Sequence, residues 1–227
     1  MALPQQLPLS LQLRANATFG NFIATGNEAL VHSLRDRGEQ YVYLWGPRAS
    51  GKSHLLQALC HACHQDGISA AYIPLRHDDI SSPEVLSGLE SLDVICLDDV
   101  HTIAGNKQWE TALFHLFNRV KDAGGRLVIT AETAPNQLGL QLPDLVSRLN
   151  WGVVYQMEQL ADEEKIRLLQ QTANQAGMEL PSEVAKYLLT RCTRDLASLL
   201  GLLEQLDHAS LAAQRKLTIP FVRQFID

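Results

Sequence analysis

The 227-residue chain has no run approaching the ~20 consecutive apolar residues of a membrane-spanning helix. It is also poor in positive charge, with 19 Lys and Arg against 25 Asp and Glu and a net charge of −6. A protein whose main task is to grip duplex DNA ordinarily carries a basic footprint that displaces counterions, and this composition excludes one. Only four cysteines occur (Cys60, Cys63, Cys96 and Cys192), which argues against a disulfide framework. The N-terminus lacks the basic-then-apolar order of a signal peptide, so the expected location is cytoplasmic. What remains is 46% hydrophobic and 19% charged, an ordinary globular composition able to bury a full core. Disorder, collagen and coiled coil are excluded for the chain as a whole.

Cys60-His61-Ala62-Cys63-His64 invites a metal or redox reading. No second Cys/His pair follows at zinc-finger spacing, and the cluster lies in the helical apolar pattern Leu55, Leu56, Leu59, Cys63. Free cysteine in such a pattern behaves as a small hydrophobe, so these residues are assigned to the core.

Five short β-rich runs stand out: Tyr41–Trp45, Ala70–Pro74, Val94–Asp98, Leu127–Ala131 and Val153–Met157. They are mostly continuous rather than alternating, as expected of parallel strands buried on both faces. Segments of helical periodicity separate them, including Ser53–Gln65 and Gln108–Ala123, the latter with Trp109, Ala112, Leu113, Leu116 and Val120 along one stripe. This alternation implies an α/β sheet with ligands at the carboxyl ends of its strands. After about residue 160 the strands stop. Helical patterns start at Asp162, with Glu163 and Glu164 in the first turn, and continue over Pro181–Cys192, Asp195–Gln214 and from about Pro220. The expected organisation is an extended tail at 1–17, an α/β nucleotide-binding domain at 18–160 and a small all-helical domain at 161–227.

Gly46-Pro47-Arg48-Ala49-Ser50-Gly51-Lys52-Ser53 fits G-x-x-x-x-G-K-S, directly after the first strand and opening the helix that carries His54. In that context the glycines let backbone N–H groups wrap phosphates, and the helix N-terminus adds positive charge. Lys52 then neutralises β/γ oxygens and the Ser53 hydroxyl ligates Mg²⁺. Val94-Ile95-Cys96-Leu97 forms a central strand from whose carboxyl end Asp98 and Asp99 emerge. Paired acids at a strand end can simply cap a helix; beside a phosphate loop, Asp98 suits Mg²⁺ through water and Asp99 suits an attacking water. Thr130, at the end of the next strand, suits orienting that water or sensing the γ-phosphate.

Taken together, these stretches resemble an AAA+ ATPase, and more narrowly the family of the bacterial replication initiator DnaA, from Thr18 onward. The resemblance is carried by Thr18-Phe19-Gly20-Asn21-Phe22-Ile23 with Gly26-Asn27, the phosphate loop, and Asp98-Asp99-Val100-His101 with Ala104-Gly105. Ile129-Thr130-Ala131-Glu132 with Pro135 follows the family's first sensor, and Ser147-Arg148-Leu149-Asn150-Trp151-Gly152 its arginine-finger box, with Leu149-Asn150 departing from an aromatic and a glycine. The implied fold is a P-loop AAA+ module, a five-stranded parallel sheet flanked by helices with a small helical lid. The resemblance implies that Arg148 acts in trans, at a neighbour's nucleotide.

Two features separate the sequence from the initiator. It ends at Asp227, past the lid, with no counterpart of the family's DNA-reading helix-turn-helix domain, so no sequence-specific DNA binding is expected. It begins with Gln6-Leu7-Pro8-Leu9-Ser10-Leu11, similar to peptides that dock in the groove of the sliding clamp, the DNA polymerase III beta subunit. Gln6, Leu7, Leu9 and Leu11 are the expected anchors. An initiator-like body with such a tail resembles the Hda family, the regulatory inactivators that stimulate hydrolysis of ATP on DnaA. That resemblance implies DnaA and the clamp as partners, no membrane, and a homo-oligomer as a possible assembly through the AAA+ interface.

The same resemblance implies ADP or ATP with Mg²⁺, the diphosphate favoured and the chain's own turnover weak. Aligning Arg191 and Gly201 with the family's second-sensor helix puts Ala197 where the arginine belongs. Arg194, one turn earlier, either replaces it at the nucleotide or faces solvent. Phe19 and Phe22 either flank the base or pack locally. The rival readings are an autonomous AAA+ ATPase that loads or remodels a replication protein, a small-molecule P-loop kinase lacking an identifiable acceptor pocket, and a DNA-binding initiator paralogue disfavoured by charge.

Overall fold

The computed structural model of the chain describes residue 13 and residues 17–78, 80–192, 196–213 and 216–226. Gln6, Leu7, Leu9, Leu11 and Arg194 lie outside the described residues, and so does the side chain of Ala197. The chain divides into two compact units, one of residues 1–22, 27–46 and 51–156, the other of residues 23–26, 47–50 and 157–227.

The first unit is built on five strands: β1 (Tyr41–Trp45), β2 (Ala70–Pro74), β3 (Val94–Asp98), β4 (Arg126–Ala131) and β5 (Val153–Gln156). All neighbours are parallel, in the order β2-β3-β4-β1-β5. Strands β3 and β4 are buried at every residue, which explains their unbroken apolar runs, while β5 at the edge alternates. Helices α1 (Glu28–Asp36), α2 (Lys52–Gln65), α3 (Lys107–Ala123) and α4 (Pro143–Leu149) complete this unit. The stripe expected on α3 is where the core forms: Trp109, Leu113, Leu116, Phe117 and Val120 pack with Ile95, Leu97, Leu127 and Ile129. Cys60 and Cys63 are wholly buried on α2 and pack as small apolar side chains, and Cys96 is buried in β3. Among the described residues no group of three His, Cys, Asp or Glu is placed to hold a metal ion.

Two details depart from the sequence reading for physical reasons. Strand β4 starts one residue early because Arg126 is buried under α1, where its guanidinium donates to the carbonyls of Leu34 (3.0 Å), Ser33 (3.1 Å) and Glu39 (2.8 Å). It thereby satisfies the Leu34 carbonyl at the end of α1, while the Ser33 carbonyl also accepts from the Arg37 N–H. Glu110, on the buried side of α3, accepts from the backbone N–H of Gly105 (2.8 Å), Gln141 (2.9 Å) and Leu142 (2.8 Å). One buried carboxylate thus ties the turn after β3 to the entry of α4.

The second unit is helical: α5 (Asp162–Gln175), α6 (Ser182–Arg191), α7 (Leu196–Ala213) and α8 (Ile219–Arg223). Asp162, Glu163 and Glu164 fill the first turn of α5, and Glu164 accepts from the Ala161 N–H at 2.8 Å. Leu169, Val184, Leu188, Leu199, Leu203 and Val222 are at its apolar centre. No helix among the described residues is long and apolar enough to cross a membrane.

Candidate functional site

Parallel pairing sets which loops can meet. Leu44 is in register with Thr130, Trp45 with Ala131, Leu97 with Ile129 and Pro74 with Asp98. Residues that follow the ends of β1, β2, β3 and β4 therefore emerge on one edge of the sheet, and the phosphate-loop sequence begins there at Gly46. Left-handed backbone interrupts that loop at Ala49 (φ 60°) and Gly51 (φ 95°), the kind of turn that curls N–H groups around an anion. Pro47 and Arg48 are exposed and Ser50 is buried; Lys52 and Ser53 open α2, and Ser53 is half-buried. Lys52 is 5% exposed, and its Nζ donates to the Gly46 carbonyl at 2.8 Å. Burial lowers its pKa, although Asp99, Asp98 and Glu132 pull the other way.

Asp98 is buried, and each of its carboxylate oxygens accepts one hydrogen bond. The Tyr72 hydroxyl donates to Oδ2 at 2.7 Å, and the Thr130 hydroxyl donates to Oδ1. Thr130 also accepts from the Asp99 N–H at 2.9 Å. Its hydroxyl therefore fixes both acids, and the hydrogen it would give to a water or a phosphate goes to Asp98. Each Asp98 oxygen keeps a lone pair, so with the Ser53 hydroxyl the donor set is oxygen only, suited to a hard cation such as Mg²⁺ that retains several waters.

Asp99 adopts left-handed backbone (φ 60°), and its carboxylate meets Arg76 Nε at 3.2 Å. Burial and the adjacent Asp98 raise its pKa against the pull of Arg76, His101 and Lys52. Arg76 also reaches Glu132 Oε1 (3.0 Å) and His101 Nε2 (2.6 Å). Burial pushes the Glu132 carboxyl up, but His101 and Arg76 outweigh it and hold the pKa below the ordinary value. Arg76 and Tyr72 escaped the sequence reading. Their signal was positional, an Arg two residues beyond β2 and a Tyr within it, and became legible only once β2 was known to flank β3.

Phe22 lies against the loop, where a Cβ on Gly51 would come within 2.7 Å of its ring, and its ring is 5.7 Å from that of His54. His54 Nε2 is 2.8 Å from the Thr18 carbonyl oxygen. Phe19 instead packs beneath the Arg35 guanidinium, 5.0 Å from ring centroid to carbon. The structure thus separates the two phenylalanines, with only Phe22 at the loop.

Arg148 is not among these residues. It ends α4, ahead of β5, and the indole of Trp151 lies 4.8 Å from its guanidinium. Trp151 stacks on Tyr41, the first residue of β1, at 6.1 Å and 7°. Arg148 therefore belongs to the amino-terminal edge of the sheet. At ~3.3 Å per residue, four residues of β1 separate that edge from the phosphate loop by ~13 Å. Arg148 is half-buried, and among the described residues no carboxylate pairs with it.

Residues 13–156 match the family model of the bacterial DnaA ATPase domain, and residues 162–226 match that of the Hda lid domain. Domain III of the replication initiation protein DnaA from Thermotoga maritima is similar in structure, with a TM-score of 0.80 over 95% of this chain and 99% of that one, at 23% identity. AMPPCP-bound DnaA from Aquifex aeolicus gives a TM-score of 0.69 over 86% of this chain and 66% of that one, at 24% identity. A RuvB variant from Thermotoga maritima gives 0.66 over 92% of this chain and 70% of that one, at 18% identity. At these identities the likeness is one of fold, and the fold is AAA+.

Proposed function

The chain belongs to the bacterial DnaA ATPase-domain family, and from that premise we propose that it is a negative regulator of replication initiation that completes the ATPase site of DnaA in trans. The observation that carries this reading is the place of Arg148. A guanidinium with no carboxylate partner among the described residues, at the sheet edge opposite its own phosphate loop, is available to a neighbour's phosphates and not to its own. Phosphoryl transfer spreads charge over equatorial oxygens, and an arginine supplied from outside accelerates it roughly 10³–10⁵-fold. The match of residues 162–226 to the Hda lid supports a regulator rather than the initiator itself.

The chain's own site holds ADP or ATP: backbone N–H groups of residues 46–53 cradle the phosphates, Lys52 neutralises them, and Phe22 and His54 flank the loop. The Ser53 hydroxyl and, through water, Asp98 would hold Mg²⁺, which would supply positive charge to the phosphates. In this reading Asp99 takes a proton from an attacking water. Its pairing with Arg76 in a partly buried setting supports weak turnover of the chain's own nucleotide, and with it the diphosphate-bound resting form. Thr130 acts by fixing the two acids.

In this reading the clamp is engaged by Gln6, Leu7, Leu9 and Leu11, and DnaA by the edge that carries Arg148. The test is to load DnaA with ATP and follow hydrolysis with this protein, with and without clamp on DNA. The reading expects acceleration that requires both, and loss of the clamp requirement's benefit when the four tail residues are replaced by Ala. Brisk hydrolysis by this chain alone, indifferent to DnaA and clamp, would instead establish the autonomous ATPase.

A further inference from the structure

Arg148 is a long side chain at the end of a short helix, with no ion pair among the described residues to hold it, and such a side chain loses rotamer freedom when it settles on a phosphate. A platform that restricts it beforehand removes part of that loss. The structure contains one. Trp151 is 51% exposed, the largest exposed apolar side chain among the described residues, and its ring lies under the Arg148 guanidinium at 4.8 Å.

The ring is itself fixed from behind. It stacks on Tyr41 (6.1 Å, 7°) and on Phe117 (6.2 Å, 22°), which stack on each other at 4.3 Å. Phe117 is a fully buried core residue of α3, so the stack runs from the core to the surface. Gly152 makes the arrangement possible, because a Cβ there would collide with the carbonyl group and Cβ of Tyr41. The indole face also carries Lys121 Nζ at 4.4 Å, so a second cation stands beside the finger. An exposed indole carrying two cations has no role in the chain's own phosphate site, which lies at the other edge of the sheet.

We propose that Trp151 is the positioning residue of Arg148: its ring holds the guanidinium at the surface, oriented for the anionic phosphoryl group of a docked partner. This inference rests on the trans-acting reading above, and its test separates the two. Trp151→Leu and Trp151→Phe are compared with Arg148→Ala in stimulated hydrolysis on DnaA, titrated to saturation, after thermal melting shows each variant folded. The contact is read independently by NMR as the upfield ring-current shift of the Arg148 side-chain protons, which needs no partner.

The expected result for W151L is an about two- to fivefold lower rate at saturation, the ordinary worth of an exposed cation–π contact. Its half-saturating concentration is unchanged and its ring-current shift is gone. W151F, which keeps an aromatic face, recovers most of the rate. A docking role for Trp151 would instead raise the half-saturating concentration and leave the saturated rate intact, and that result overturns the proposal. So do Arg148 protons at ordinary positions in the wild-type protein. Loss of stimulation in R148A with none in W151L overturns the positioning role alone; full stimulation by R148A overturns the trans-acting reading itself.

Discussion

Asp99 shows how one residue can be held in a costly state at a site. Its backbone is left-handed, its carboxylate is partly buried beside Asp98, and its pKa is raised by burial and by that neighbour. A raised folded-state pKa means that the fold favours the protonated acid. The stabilisation is present below the unfolded value of about 3.9 and is lost as pH rises through the folded value. Asp99→Asn removes that loss. The variant should melt higher than wild type at pH 7, with the advantage shrinking as pH falls through the folded value and gone below about 4; an advantage that is absent, or flat from pH 3 to 7, contradicts the assignment. Lys52 is the complementary case, a buried cation whose pKa burial lowers. In the wild-type protein, nucleotide at a hundredfold excess over Kd should stabilise by about 2.7 kcal/mol. Lys52→Met should abolish that thermal shift, and a full shift in the variant would remove the loop from the account.

At the scale of elements, strands were the most legible feature. Unbroken apolar runs fixed β1, β2 and β3 to the residue; β3 and the middle of β1 are buried, which leaves no alternation to misread, while β2 at the sheet edge is only half-buried. The phosphate loop and the acids after β3 were equally legible, since their meaning depends on local order along the chain. The partners of those acids were not. Tyr72 lies in β2 and Arg76 just beyond it, and their convergence on Asp98 and Asp99 is a product of strand order. The sequence reading placed no helix over 28–36 or 143–149, although Pro143 stands at the start of the second. Both are short, and tertiary anchors hold them: Arg126 at the end of α1 and Glu110 at the entry of α4. The Trp151-Gly152 step is a further element-level device. Gly152→Ala pushes a Cβ into the Tyr41 backbone, which cannot swing aside as a flexible side chain would. The expected cost is ~1–3 kcal/mol, read as a melting temperature lower by about 2–4 °C per kcal/mol. An unchanged melting temperature would show that the β1–β5 seam is looser than its geometry implies.

For the whole first unit, the sheet separates two groups of residues along one axis. Phosphate-loop residues and their acids follow the carboxyl ends of the strands, while Arg148 and Trp151 occupy the amino-terminal edge. A net charge of −6 gives the chain no overall electrostatic attraction to duplex DNA. The measurement that tests the account most directly is single-turnover hydrolysis of ATP on DnaA at saturating clamp and saturating amounts of this protein, wild type against Arg148→Ala. The account predicts that the variant falls to the unstimulated rate of DnaA while still binding nucleotide and clamp. Stimulation by Arg148→Ala equal to wild type would contradict it.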